Sequence, residues 1–106
     1  MNDLDPAVAR MIDATNREDT DAFLAAFADD AVVDDWGTRY EGRERVARWN
    51  HTDNIGKHSR FAVTGASTAG DRSTVSVVVS GDGFNGPSTF EFDVRDGLIT
   101  RFAITG

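Results

Sequence analysis

With 106 residues, 40% of them hydrophobic, the chain can bury one real core and is too short for two, so a single domain spanning residues 1–106 is expected. A formal net charge of −7 and the absence of any basic run exclude nucleic acid as a partner, because phosphate binding rests on clustered Lys and Arg. The lack of cysteine excludes a disulfide framework and a thiolate nucleophile, and no cofactor is implied by any motif.

The start Met1-Asn2-Asp3-Leu4-Asp5 has no positive region followed by an apolar run, so the expectation is a cytoplasmic protein with no membrane segment. Asp5-Pro6 is a helix start, an acidic N-cap with Pro in the first helical position. Val8, Met11, Ile12 and Thr15 then recur at helical spacing and form one apolar stripe. Arg17-Glu18-Asp19-Thr20 breaks the pattern, and Phe23, Leu24 and Phe27 make the apolar face of a second, short helix. Residues 31–35 read as the first strand, with Ala31, Val33 and Asp35 on one side and Val32, Asp34 and Trp36 on the other. Residues 37–42 are a turn or short edge segment, and residues 42–49 a third helix with Val46 and Trp49 inward.

From Lys57 onward the period switches to two. Phe61 and Val63, then Val75, Val77 and Val79, then Phe90, Phe92 and Val94 alternate in successive strands. Asp96-Gly97 is the strongest hairpin signal in the chain, and Leu98, Thr100, Phe102 and Ile104 continue into a last strand. Helices first and an antiparallel meander after imply an α+β fold, a cone-shaped curved antiparallel sheet with three helices packed on its concave face. Its inward wall, Phe61, Val75, Val77, Val79, Phe90, Phe92, Val94 and Phe102, either packs solid or leaves a ligand pocket.

The segment Phe27-Ala28-Asp29-Asp30-Ala31-Val32-Val33-Asp34-Asp35, the run Tyr40-Glu41-Gly42-Arg43-Glu44-Arg45-Val46-Ala47-Arg48-Trp49 and the closing Phe92-Asp93-Val94-Arg95-Asp96-Gly97-Leu98-Ile99 resemble the SnoaL-like branch of the nuclear transport factor 2-like superfamily. The resemblance covers nearly the whole chain. It implies the cone fold, a homodimer through the open face of the sheet, and a cavity that serves ketosteroid isomerases, polyketide cyclases, epoxide hydrolases and non-catalytic members alike. It also implies that Asp35 holds the position of the isomerases' general base, and the handling of carboxylates in those enzymes is a known worked case of pKa tuning. The oxyanion-hole tyrosine of the first helix falls on Met11, and the second acid, shared with the cyclases, falls on Phe90. Neither can donate a hydrogen bond, and Glu91 lies one residue out of register, on the other face. The Asp-Arg-Asp set of the epoxide hydrolases is absent from the expected strands.

Residue by residue, Asp35 is the candidate proton-abstracting base or polar anchor, with Asp34 as its alternative should the register put Val32 and Trp36 inward. The expected pocket is built from Met11, Val33, Trp36, Trp49, His58, Val77, Phe90, Phe92 and Phe102. Trp36 and Trp49 either stack on a flat ligand or pack in the core or a dimer interface. His51 reads as a surface residue past the third helix, and with no close His pair and no cysteine no metal site is expected. Gly81-Asp82-Gly83-Phe84-Asn85-Gly86 spells a dinucleotide-binding fingerprint, but a strand follows it and no helix N-terminus is there to hold a pyrophosphate. The expected partner is a small apolar organic molecule, bound either by an isomerase- or cyclase-like enzyme or by a non-catalytic binding or accessory domain.

Overall fold

The structure, a computed structural model, describes residues 4–106; Met1-Asn2-Asp3, part of the stretch read above for a leader, lie outside them. Three helices, α1 (Pro6–Asn16), α2 (Thr20–Ala25) and α3 (Arg43–Asp53), accompany six strands, β1 (Phe27–Asp35), β2 (Thr38–Glu41), β3 (Arg60–Ala69), β4 (Arg72–Ser80), β5 (Gly86–Arg95) and β6 (Leu98–Thr105). One turn of 3-10 helix, Ile55–Lys57, joins α3 to β3. The strands form a single sheet in the order β2-β1-β6-β5-β4-β3. The fold is α+β, an open curved sheet with helices on one face. Among the described residues no helix is long and apolar enough to cross a membrane.

Local chemistry sets the helix ends. Asp5 caps α1 by accepting from the Ala7 amide at 2.8 Å, and Asp19 caps α2 by accepting from the Ala22 amide at 3.0 Å. Three boundaries differ from the sequence expectation. Phe27 opens β1 and does not belong to α2, because the second helix ends at Ala25 and the chain turns extended at once. α3 continues a full turn past Trp49, so His51 lies within the helix, though exposed as expected. The sheet is mixed: β1 pairs with β6 in parallel, Val33 opposite Phe102 and Asp35 opposite Ile104, because α3 and the meander intervene between them in the chain.

A bulge corrects the last strand. Asp93 faces Arg101 and Val94 faces Ile99, so Thr100 is the extra residue, and its hydroxyl donates to the Asp93 carbonyl at 3.1 Å. Strict alternation would have put Leu98 inward; the bulge buries Ile99 completely and leaves Leu98 exposed.

The concave face is filled by rings. Phe92 stacks on Phe102 with centroids 4.7 Å apart, Phe90 meets Phe102 edge-on at 4.9 Å, and Phe61 meets Phe90 edge-on at 4.8 Å. Each such ring, fully buried, contributes roughly 1.5–3 kcal/mol of transfer free energy. α1 is tied to the edge strand by one side chain: Asn16 donates to the Phe61 carbonyl at 3.0 Å and accepts from the Phe61 amide at 2.8 Å. Below it, the Asn54 side chain donates to the Thr15 hydroxyl at 3.2 Å and to the Asn50 carbonyl oxygen at 3.0 Å, joining α1 to the end of α3. On the outer face Asp93 lies between Arg72, at 2.8 Å, and Arg101, at 3.6 Å, and Glu91 accepts from Arg101 at 2.9 Å. The hydrogen bond from Arg72 holds the Asp93 carboxyl below its ordinary range.

The Asn16 pair predicts that Asn16→Ala costs about 2 kcal/mol, the sum of two partly buried hydrogen bonds, with an unchanged denaturant slope in urea unfolding.

Candidate functional site

β1 ends in a hairpin whose two central residues, Trp36 at φ 52° and Gly37 at φ 93°, both take left-handed conformations. A tryptophan there is unusual, since a bulky side chain is strained at positive φ. Asp34 serves the turn, its Oδ1 accepting from the Gly37 amide at 2.8 Å. The next residue points the opposite way, as strand alternation requires. Asp35 turns inward, and its Oδ2 accepts from the Trp49 indole N–H at 3.0 Å. Its Oδ1 has no hydrogen-bond partner among the described residues.

Asp35 lines a cleft of about 70 Å³ at the end of the sheet where β1, β4 and β6 finish and β3 and β5 begin. Trp36, Trp49, Phe61, Val79, Phe84, Phe90 and Ile104 supply its apolar wall. Its polar lining is Asp35, Asp53, Asn54, Ser59 and Ser88. Trp49 and Asp53 are four residues apart on α3, so both project from the same side of the helix. The size admits a few waters or a compact group and falls well short of the roughly 300–1,000 Å³ of a drug-sized site. Trp36 and Phe84, both about half exposed, stand at its mouth with ring centroids 6.5 Å apart.

Of the expected pocket residues, the structure brings Asp35, Trp36, Trp49 and Phe90 to this cleft. Met11, Val33, Val77, Phe92 and Phe102 are instead packed in the core, at most 1% exposed, because the phenylalanines fill the concave face and leave space only at its end. His58 does not reach the cleft either. It sits at φ 54° with its ring exposed, Nδ1 at 3.1 Å from Glu18 Oε1 and Nε2 at 3.9 Å from Asp82. A left-handed residue just before β3 turns that side chain outward, which the strand pattern did not foretell.

Several cleft residues escaped the sequence reading. Asp53 was missed because the helix was ended a turn early; extending it would have shown Trp49 and Asp53 at i and i+4. Asn54, Ser59, Phe84 and Ser88 carry no such signal. Tyr40, opposite Val33 in the β1–β2 pairing, shares the inward side, and its phenol is pushed above the ordinary value by burial first and then by the nearby Asp53 and Asp35 carboxylates. A wider depression of about 580 Å³ at the far end of the sheet, lined by Asp30, Asp71, Asp93 and Asp96, opens to solvent. Among the described residues no group of His, Cys, Asp and Glu is arranged to hold a metal ion.

The family model described as "SnoaL-like domain" matches residues 8–102. A crystal structure from Sinorhizobium meliloti, described as a candidate polyketide cyclase, is 33% identical over 97% of this chain and 96% of that one, with a TM-score of 0.89. A protein of ketosteroid isomerase-like fold from Catenulispora acidiphila, in complex with trimethylamine, is 22% identical over 100% of this chain and 87% of that one, with a TM-score of 0.85. A Mycobacterium tuberculosis protein in complex with estradiol-17beta-hemisuccinate is 20% identical over 94% of this chain and 90% of that one, with a TM-score of 0.81. No curated protein matches the sequence.

Tyr40 is the only tyrosine in the chain, so the tyrosinate absorbance near 295 nm reads this site alone. Its alkaline midpoint is expected above the free value of about 10, and Asp35→Asn lowers it in part, since burial is the larger cause. Because the folded state holds this proton more tightly than the unfolded chain, the stability it contributes is present below about pH 10 and is lost as pH rises through the folded value.

Proposed function

The chain belongs to the SnoaL-like domain family, of the nuclear transport factor 2-like superfamily, and from that membership we propose that it is a one-domain cytoplasmic homodimer that binds a small organic molecule in the cleft at the end of its sheet, with Asp35 as the polar anchor. The observation that carries this reading is Asp35 itself. Its carboxylate is fixed by the Trp49 indole on one oxygen and open on the other, beside largely aromatic walls. That one relative by fold holds a small amine and another a steroid ester supports a ligand-binding use of the same architecture.

A second reading, an isomerase- or cyclase-like enzyme in which Asp35 abstracts a proton beside a carbonyl, is favoured by the open oxygen of Asp35 and by the likeness to the Sinorhizobium meliloti protein. The developing enolate would need a donor. Met11 and Phe90 cannot supply one, and losing such a donor typically costs on the order of a hundredfold in rate. Ser59 carries the one hydroxyl in the cleft lining that is bonded to nothing among the described residues, since Ser88 Oγ donates to the Thr105 carbonyl at 2.7 Å. Binding without chemistry therefore ranks first.

In titrations with single-ring and smaller probes, Asp35→Asn is expected to keep the melting temperature and weaken binding about tenfold. Asp34→Asn, whose amide oxygen can still close the turn, should leave binding unchanged. Equal effects of the two would dismiss Asp35 as the anchor. Carbonyl-compound turnover by the wild type that Asp35→Asn removes would establish the enzymatic reading instead. The proposed dimer uses the outer face of the sheet, where Val78 is 45% exposed between polar neighbours. Sedimentation should give a dimer for the wild type and a folded monomer for Val78→Arg.

A further inference from the structure

The polar groups of the cleft are almost all acceptors. Asp35 and Asp53 both line it, and neither forms an ion pair with any Lys, Arg or His among the described residues. On the outer face of the sheet, by contrast, Asp93 has Arg72 at 2.8 Å and Glu91 has Arg101 at 2.9 Å. Asp35 is half-buried and Asp53 exposed at the rim, so the cleft carries two negative charges with no protein cation against either among the described residues.

Two largely buried residues of the lining add further acceptor oxygens. Asn54 is 2% exposed; both of its amide hydrogens are committed, to Thr15 and Asn50, and its Oδ1 accepts nothing among the described residues. Ser59 is 6% exposed and its hydroxyl is likewise uncommitted. Trp49 gives its indole N–H to Asp35, so its side chain keeps no donor for a ligand. The π-faces of Trp36, Trp49 and Phe84 are electron-rich, which favours a cation placed over them. An anion would meet two carboxylates, and a neutral carbonyl would find one hydroxyl donor.

We propose that the cleft takes a compact organic cation, an alkyl- or methyl-substituted ammonium group, seated against Trp36 and Trp49 with its charge met by Asp35 and Asp53. This rests on the small-molecule reading above and adds the class of the ligand. Alkyl substituents suit the apolar wall, and a cavity of about 70 Å³ suits a headgroup with the rest of the molecule leaving past Trp36 and Phe84. A bare metal ion is a poorer complement, since among the described residues no three acidic or imidazole groups converge.

The test compares choline with its uncharged carbon isostere, 3,3-dimethylbutan-1-ol, by titration calorimetry and by the fluorescence of the chain's two tryptophans, at low and moderate salt. Choline should bind at least tenfold more tightly than the isostere, with affinity falling as salt rises. Asp35→Asn should weaken choline more than it weakens the isostere, and Asp53→Asn should weaken choline about fivefold or more and leave the isostere unchanged. Asp96→Asn removes the same charge at the other end of β6 and should change neither, which separates the local carboxylates from the net charge. Equal binding of the two probes overturns the cation assignment while leaving the pocket reading intact. If neither binds at millimolar concentration but neutral single-ring probes do, the cation assignment alone fails; if nothing binds, both readings fail. Loss of choline binding by Asp96→Asn to the same extent would also overturn it.

Discussion

One hydrogen bond links the core of this protein to its site. Trp49 is 2% exposed, its ring lies edge-on to Phe102 at 5.9 Å and tilted over Phe23 at 6.3 Å, and its N–H reaches Asp35. A buried indole needs a partner for that proton. The carboxylate needs an N–H if it is to leave water. Each makes the other's burial tolerable, and the pair fixes α3 against the end of β1. The position of Asp53, one turn further along the helix, follows from the same anchorage, as does the side of the cleft that Asp35 occupies.

The two faces of the sheet treat charge in opposite ways. On the outer face, acids and arginines alternate across β4, β5 and β6, so each carboxylate has a guanidinium within reach. Such pairs are solvated and screened, and each contributes little by itself. At the inner end Asp35, half-buried, and Asp53, exposed at the rim, stand beside rings with no cation paired to them among the described residues, and their field reaches Tyr40. The raised phenol of Tyr40 is an internal reporter of that field, because a neighbouring negative charge opposes its ionisation.

Much of the architecture was legible because it rests on periodicity. Alternating Val75, Val77 and Val79 had only one way to face a core, and Asp96-Gly97 could close only a tight hairpin. Strand alternation left Asp34 and Asp35 as alternatives, and the complete burial of Ala31 and Val33 on the Asp35 side is what separates them. What resisted reading depended on departures from the period: the bulge at Thr100 exchanged Leu98 for Ile99, and the left-handed His58 turned outward. The state of the interior was also out of reach. Whether a wall of phenylalanines encloses a hollow or fills it depends on how rings tilt against one another, which is a property of the packing and not of spacing along the chain.

The same packing explains why the cleft is small. The superfamily resemblance places hydrogen-bonding residues at the positions of Met11 and Phe90, and such groups persist in an apolar interior only when a ligand or partner satisfies them. Here both positions hold side chains that need no partner. Met11 accepts only a long contact from the Thr15 hydroxyl, at 3.6 Å to sulfur, and Phe90 packs edge-on against Phe61, Phe92 and Phe102. Filling the deep part of the cone this way removes both the donors and the volume that a large carbonyl substrate would use. Space remains at the rim, where Asp35, Asp53 and the two tryptophans stand. In the proposed reading, selection for a ligand thereby moves from the depth of the cone to its mouth, and from hydrogen-bond donation to charge and ring faces.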